Sequence, residues 1–253
     1  MVRKLLLGAA LSGVLAAAAP ALAQTGQAWT WTGPYAGVNI GYSFGTQTYN
    51  YAGTDDAAGT IPDYGGFYHD LGGVIGGGQL GYNYETSGGL VLGIETDFDA
   101  TSQSFSDGYS GTDGNGNAYS GNIASRLDWL GTVRARLGQA SFDGRFFPYV
   151  TGGLAYGRVT GAGTFSCPTC AAGEGGGFNA SEIQAGWTVG VGAEYAVNRR
   201  LSAKVEYLYV QMPTEAFNLP NGGFGGPGVA VYNAQANQQL DTNIIRVGLN
   251  YHF

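Results

Sequence analysis

Regular alternation of apolar and polar residues is the main signal along this chain. Eight segments place apolar side chains at every second position, and each has about the length that a tilted barrel strand needs to cross the hydrocarbon layer of a bilayer. The segments are 35–44, 74–84, 90–98, 127–137, 146–157, 184–196, 201–211 and 243–253. This pattern predicts eight antiparallel β-strands.

The last segment shows the alternation best. Its apolar parity holds Ile245, Val247, Leu249, Tyr251 and Phe253, and its polar parity holds Arg246, Gly248, Asn250 and His252. The polar face of a soluble sandwich would be rich in Lys, Glu and Thr, whereas the polar parity here is mostly Gly with a few charges of both signs. We therefore predict an all-β fold, an eight-stranded antiparallel transmembrane β-barrel with a narrow, filled lumen.

The connections between the segments alternate in length. Residues 85–89, 138–145 and 197–200 are short joins, and 45–73, 99–126, 158–183 and 212–242 are long. In outer-membrane barrels the short turns face the periplasm and the long loops face outside. Aromatic residues near the segment ends predict two interfacial girdles, with Trp129, Trp187, Tyr209 and Phe98 at one rim and Tyr84, Tyr195, Tyr251 and Phe253 at the other.

The start of the chain carries an export signal. Arg3 and Lys4 precede an apolar run over 5–19 and a small-residue cleavage site, so we interpret 1–23 as a signal peptide and 24–253 as the barrel domain. The alternative is an uncleaved anchor, but the run is shorter than the roughly 20 residues of a spanning helix.

Composition and charge narrow the function. The 46 Gly, 17 Tyr and 12 Phe favour tight turns and strands. Without the two cations of the signal peptide, 9 of the 11 Lys and Arg remain against 18 Asp and Glu, a net charge of −9. This balance excludes nucleic-acid binding through a basic surface.

Residues 45–71, 99–125, 160–182 and 213–241 of the predicted outer loops hold eleven acids and no Lys or Arg. The ordinary explanation is solvation of long loops, and the functional one is a surface that attracts cations or basic partners. The acids are Asp55, Asp56, Asp63, Asp70, Asp99, Asp107, Asp113, Glu174, Glu182, Glu215 and Asp241.

Charged residues also occupy the polar parity of the strands, which faces the lumen. They could line an ion path or form a salt-bridge network that plugs the barrel. Because side chains about fill an eight-stranded barrel, we favour the plug. The predicted network comprises Glu95, Asp97, Asp128, Arg134, Arg136, Glu194, Lys204, Glu206 and Arg246.

Five stretches resemble a known family, the small alphaproteobacterial outer-membrane barrels of the 25 and 31 kDa surface antigens, which are related in architecture to the OmpA barrel. They are WTGPYAGVNIGY (31–42), GYNY (81–84), GIETDF (93–98), PYVTGGLAYG (148–157) and RVGLNYHF (246–253). The resemblance implies an outer-membrane location and insertion by the barrel assembly machinery. It also implies that Leu249, Tyr251 and Phe253 belong to the assembly signal.

A cysteine pair departs from that family pattern. Cys167 and Cys170 could form a redox pair, half of a zinc site or a disulfide. An exported protein resides in an oxidising compartment, and the sequence has no second pair to complete a zinc site. We predict a local disulfide in the third outer loop.

Motifs for catalysis or cofactors are weak. Residues 76–81 match the dinucleotide fingerprint, but they lie within a predicted strand with no helix behind them, so the glycines more plausibly serve barrel curvature. Neither His69 nor His252 has the serine two positions on that small lipid A deacylase barrels carry. We predict no catalytic residue, no cofactor and no metal site.

These observations predict a structural outer-membrane protein that supports envelope integrity and presents acidic loops at the cell surface. Adhesion through these loops is an extension of this hypothesis. The alternative is a narrow, cation-preferring pore, and a third hypothesis is small-ligand binding by the loop over 214–234. Expected partners are outer-membrane lipid and lipopolysaccharide, the assembly machinery during biogenesis, and host or envelope proteins at the loops.

Overall fold

The structure is a computed structural model that describes residues 29–54, 62–112, 116, 118–141, 143–168, 174–212, 216–218 and 235–253. The predicted signal peptide, the tips of the outer connections and Cys170 lie outside these ranges. Within them, no helix is both long and apolar enough to cross a membrane.

The described chain forms ten antiparallel strands. They are β1 (Gly33–Thr54), β2 (Pro62–Glu85), β3 (Leu90–Thr101), β4 (Ser104–Thr112), β5 (Ala118–Gln139), β6 (Phe146–Cys167), β7 (Glu174–Ala196), β8 (Leu201–Met212), β9 (Ala216–Asn218) and β10 (Gln235–His252).

The sheet closes on itself into a barrel with eight strands around its circumference. β1 pairs with both β2 and β10, and the path between them runs through β3, β5, β6, β7 and β8. β4 continues β3 and pairs with β5, and β9 continues β8 and pairs with β10. Neither β4 nor β9 therefore adds to the eight strands of the barrel. The predicted eight-stranded antiparallel barrel is confirmed.

The strands extend farther outward than the alternation of apolar residues indicates. β1 and β2 stay paired as far as Thr54 and Pro62, and β6 and β7 as far as Cys167 and Glu174. β4 and the start of β5 fall within 99–126, and β9 and the start of β10 fall within 212–242. The prediction of loops throughout 45–73, 99–126, 158–183 and 212–242 is therefore wrong. The backbone ladder needs no apolar side chain, so a Gly-, Ser- and Thr-rich chain keeps pairing beyond the lipid, where hydrophobic alternation no longer marks it.

The short connections are tight turns at the end of the barrel that holds the carboxyl terminus. Gly89 and Gly144 adopt positive φ values of 78° and 71° there, a conformation that favours glycine. These turns coincide with the predicted short joins.

The outer wall of the barrel is an apolar band. Val38 is 63% exposed and Leu154 is 67% exposed, values that fit side chains in contact with lipid. Aromatic pairs border the band. Phe98 stacks on Trp129 with ring centroids 5.1 Å apart at the outer rim, and Tyr251 meets Phe253 at 5.2 Å at the periplasmic rim.

The interior is filled by three layers. A periplasmic apolar layer consists of Trp31, Val91, Ala140, Phe147, Tyr149 and Ala196. An outer apolar layer consists of Leu71, Ile75, Leu127, Leu130, Ala155, Val159, Leu208, Val210, Met212, Leu240 and Ile244. Between them lies a layer of buried charges.

The charged layer of the lumen as candidate functional site

The charged layer collects inward-facing residues from five strands. Because side chains alternate across a strand and the outside is lipid, every second position faces the lumen. None of the charged side chains is exposed to solvent. They are Glu95, Asp97 and Asp99 from β3, Arg134 and Arg136 from β5, Glu194 from β7, Lys204 and Glu206 from β8, and Arg246 from β10.

Arg134 joins carboxylates from two strands. Its Nη2 atom donates to Glu95 Oε1 at 2.6 Å and to Asp97 Oδ2 at 2.8 Å, and its Nη1 atom donates to Glu206 Oε1 at 3.0 Å. Its Nε atom donates to the Thr132 hydroxyl at 2.8 Å. The planar guanidinium suits such forked contacts, which are stronger than neutral hydrogen bonds.

Arg246 makes a second fork from the last strand. Its Nη1 atom lies 2.8 Å from Asp99 Oδ2, and its Nη2 atom lies 2.7 Å from Asp97 Oδ2 and 2.7 Å from Glu206 Oε2. Asp97 and Glu206 therefore each contact two arginines, which ties β3, β5, β8 and β10 together across the lumen.

Lys204 and Arg136 complete the layer on the periplasmic side. The Lys204 ammonium donates to both oxygens of Glu95, at 2.9 and 3.1 Å. Arg136 donates to Glu194 Oε2 at 2.5 Å, and its guanidinium carbon lies 4.0 Å from the ring centroid of Tyr149. Stacking on an aromatic ring stabilises a desolvated guanidinium.

Neutral polar groups extend the network. The Tyr35 and Tyr149 hydroxyls donate to Glu95 at 2.8 Å and to Glu206 at 2.9 Å. An amide chain continues from Asp99 to Glu194 through Asn39, Gln79 and Asn250. These hydrogen bonds reduce the cost of burying charge, although Asp97 Oδ1, Arg136 Nε and Asn39 Oδ1 are buried without a hydrogen-bond partner.

The glycine-rich second strand makes room for these side chains. A Cβ atom at Gly81 would overlap the ring of Tyr35. The predicted fingerprint at 76–81 lies within β2, paired on both sides, so its glycines are part of the barrel wall.

Ser202, His252 and Glu194 also come together. His252 Nε2 lies 2.9 Å from Ser202 Oγ, and Ser202 donates to Glu194 Oε1 at 2.5 Å. A hydrolytic triad needs a nucleophile that substrate can reach. Here Ser202 is fully buried, and the His252 ring packs against Trp29 and Trp31 at 5.1 and 5.8 Å. This arrangement serves packing at the periplasmic end.

The prediction that Asp128 belongs to the lumen network is wrong. A register shift in β5 pairs Leu127 with Val159 and Trp129 with Arg158, which leaves Asp128 as an extra residue in a β-bulge. Its Oδ1 atom lies 2.7 Å from Arg126 Nε, on the outer side of the barrel.

Asp99 is a lumen residue that the sequence interpretation assigned to an outer loop. It is fully buried and pairs with Arg246. The signal was present, because Asp99 continues the parity of Glu95 and Asp97. The contributions of the Tyr35 and Tyr149 hydroxyls had no comparable signal, since buried aromatic residues are ordinary in a β protein.

The remaining predicted residues lie apart from this layer. Leu249, Tyr251 and Phe253 face outward at the periplasmic end of the barrel. Cys167 ends β6, and its predicted disulfide partner lies outside the described residues. His69 stacks on Phe105 with ring centroids 4.3 Å apart, in the outer part of the barrel.

Metal binding finds no support in this layer. In the described part of the chain, no group of three or more His, Cys, Asp or Glu side chains could hold a metal ion. The buried carboxylates are directed at cations of the protein itself.

One carboxyl group outside the membrane has a shifted pKa. In the turn between β5 and β6, the Ser141 hydroxyl and the Arg145 backbone N–H donate to Asp143 Oδ1. These hydrogen bonds stabilise the carboxylate and lower the pKa of Asp143 below its ordinary value.

Comparisons with known proteins agree with this architecture. A family model described as the outer membrane protein beta-barrel domain matches residues 7–253. The 31 kDa outer-membrane immunogenic protein of Brucella melitensis is 37% identical over 227 residues, which are 89% of this chain and 85% of that protein. A 22 kDa outer membrane protein of Rhizobium leguminosarum is 28% identical over 89% of this chain and 80% of its own length.

A solved outer-membrane structure is similar to this chain at a low level. The outer membrane protease OmpT of Escherichia coli is 12% identical, with a TM-score of 0.44 over 90% of this chain and 99% of that one. Likeness at this level carries no argument about activity.

Proposed function

The chain belongs to the outer membrane protein β-barrel family, and from that premise we propose that it is a plugged structural barrel, which supports the integrity of the outer membrane and presents acidic segments at the cell surface. The single observation that carries the proposal is the filled lumen. Two apolar layers enclose a charged layer in which each cation contacts at least one carboxylate.

The outer apolar layer is the strongest argument against conduction. Leu208, Met212 and Ile244 are fully buried there, beyond the charges. An ion that entered from outside would have to displace close-packed side chains before it reached a carboxylate. Most of these side chains are aliphatic, and the buried, hydrogen-bonded Gln103 and Thr242 lie among them.

The proposal assigns the surface role to the outer ends of the strands. Exposed acids such as Asp70 and Asp107 lie there, and they would attract cations or basic segments of host or envelope proteins. It assigns no catalytic role. The assembly machinery is proposed to recognise Leu249, Tyr251 and Phe253, which lie on the outer wall of the last strand.

A narrow cation-preferring pore is the second candidate, and one observation favours it. Among the described lumen residues, the charged layer holds five carboxylates and four Lys or Arg side chains. If the apolar layers opened, this excess of negative charge would favour cations over anions.

Planar-bilayer recording tests the proposal. Residues 24–253 would be refolded into liposomes, with insertion verified by heat-modifiable gel mobility, and single-channel conductance recorded for the wild type, for Arg134→Ala and for Arg145→Ala. Arg145 lies in a periplasmic turn and serves as the matched control. We expect no single-channel conductance from the wild type and none from Arg145→Ala.

Steady cation-selective steps in the wild type that change in Arg134→Ala would replace the plugged barrel by the pore. The same steps unchanged by Arg134→Ala would place the conduction path away from the charged layer and would also contradict the proposal.

A further inference from the structure

Two arginines face away from the barrel at its outer rim. Arg126 lies in β5 between Ser125 and Leu127, whose side chains are buried in the lumen, so its own side chain is directed outward and is 63% exposed. Arg158 lies in β6 next to the buried Val159 and is likewise exposed.

This pair concentrates the positive charge of the outer half. Of the nine Lys and Arg residues in 24–253, four are in the charged layer, and Arg145, Arg199 and Arg200 lie at the periplasmic turns. Only Arg126 and Arg158 remain, on two strands that pair directly with each other.

The register brings the two arginines close to one another. Arg126 pairs with Thr160, and Arg158 is two residues along β6, so the two are diagonal neighbours. Diagonal neighbours of an antiparallel pair are about 7–8 Å apart, which two long side chains can bridge through a single anion.

The β-bulge positions one of them. Asp128 Oδ1 lies 2.7 Å from Arg126 Nε, and the Thr160 hydroxyl donates to Asp128 Oδ2 at 2.8 Å. The ion pair uses Nε and leaves the terminal nitrogens of Arg126 for another acceptor. In the described ranges, no ion pair includes Arg158.

The pair lies at the level of the outer membrane interface. Arg158 is in register with Trp129, which stacks on Phe98 and meets Tyr156 with ring centroids 6.0 Å apart. Aromatic rings of this kind sit at the height of lipid headgroups and pack against the first carbons of the acyl chains.

We propose that Arg126 and Arg158 form a binding site for the acidic headgroup of an outer-leaflet glycolipid of the lipid A type, with Trp129 and Tyr156 beneath its acyl chains. The guanidinium fork matches a phosphate or a carboxylate group, and the outward direction of both side chains at the interface favours a lipid over a free anion. The proposal goes beyond the structural role and does not depend on whether the lumen conducts.

Native mass spectrometry tests the site. Refolded residues 24–253 in detergent would be titrated with diphosphoryl lipid A, with dephosphorylated lipid A, with phosphatidylglycerol and with inorganic phosphate. The proteins are the wild type, the double variant Arg126→Ala/Arg158→Ala and the control Arg145→Ala, which removes an exposed cation at the periplasmic end.

We expect diphosphoryl lipid A to bind the double variant about tenfold or more weakly than the wild type, because one lost hydrogen bond between charged groups is enough for a factor of that size. Arg145→Ala should bind like the wild type. Dephosphorylated lipid A should bind weakly to all three proteins.

Equal binding of lipid A to the wild type and the double variant would overturn the proposal. So would an equal loss in Arg145→Ala, which would indicate general charge attraction. A preference for phosphatidylglycerol or inorganic phosphate over lipid A would assign the pair to another anion. Should the double variant not fold, the single variant Arg158→Ala tests the same site with no ion pair removed among the described residues.

Discussion

Replacing Arg134 by alanine should destabilise the barrel far more than replacing an exposed arginine. The change removes one cation that contacts Glu95, Asp97 and Glu206, and it leaves five carboxylates against three cations in the described lumen. Loss of one partner of a buried ion pair costs about 3–5 kcal/mol, because the remaining charge is desolvated and uncompensated.

The neighbouring cations decide where in that range the loss falls. Lys204 stays 2.9 Å from Glu95, and Arg246 stays 2.7 Å from both Asp97 and Glu206. Each carboxylate that Arg134 leaves therefore keeps at least one cation, and Glu95 also keeps Arg136 at 3.3 Å. We expect a loss of about 3 kcal/mol, at the lower end of the range.

Urea unfolding of the protein in lipid vesicles, followed by tryptophan fluorescence, would measure this loss by linear extrapolation. Arg145→Ala is the control, with an expected change within about 0.5 kcal/mol. A double variant with Asp97→Asn removes a carboxylate as well, so it should lose about 1 kcal/mol less than the sum of the single variants.

A loss below about 1 kcal/mol in Arg134→Ala would refute the reasoning, because that is the value of an ion pair in water. It would mean that the charged layer is hydrated, and the case for a sealed lumen would fall with it.

Three further predictions concern packing and the periplasmic turn. Gly81→Ala should cost about 1–3 kcal/mol in the same unfolding assay, because the new methyl group overlaps the buried ring of Tyr35. Gly78→Ala is the control and should cost less than about 1 kcal/mol, because the nearest atom to a new Cβ there is 3.7 Å away. Equal losses in the two variants would contradict the overlap. Trp31→Ala should cost about 3–5 kcal/mol, because it removes a fully buried indole that also donates a hydrogen bond to a backbone carbonyl at 2.8 Å. A loss below about 1 kcal/mol would show that the segment before β1 does not seal the barrel. Ser141→Ala should raise the pKa of Asp143 towards its ordinary value, as measured by NMR of the carboxyl carbon. Since the wild-type pKa is lowered, the stabilisation of the fold by this carboxylate is present at neutral pH and is lost as the pH falls through the folded-state pKa. An unchanged pKa would show that the Ser141 hydroxyl does not cause the shift.

Alternation in the sequence was sufficient to predict the part of the fold that lies in the membrane. On β10, Val247 and Leu249 face out, and Arg246 and Asn250 face in, as the parity predicts. Lipid outside and a crowded lumen inside impose opposite polarity on the two faces, so the pattern is strong there.

The outer half of the barrel was harder to predict, because both faces of its strands are apolar. On β8, Leu208 and Val210 face the lumen, while Tyr207 and Tyr209 face out. Periodicity alone does not separate two apolar faces, and so the outer apolar layer was not foreseen.

The bulge at Asp128 was hidden for a different reason. A single extra residue in a strand reverses which face of the sheet the side chains on one side of it occupy. No glycine or proline at that position marks the bulge in the sequence. The site formed by Arg126 and Arg158 depends on this register, so it emerged only from the structure.

Arg246 lies on β10, which closes the barrel by pairing with β1, and it contacts Asp97, Asp99 and Glu206. If the β1–β10 pairing opened and β10 left the barrel, the described lumen would keep five carboxylates against three cations, and Asp99 would lose its ion-pair partner. Closure of the sheet and neutralisation of its interior are therefore a single event. A barrel that opens between β1 and β10 carries the electrostatic cost of uncompensated buried carboxylates, and that cost holds the two strands together.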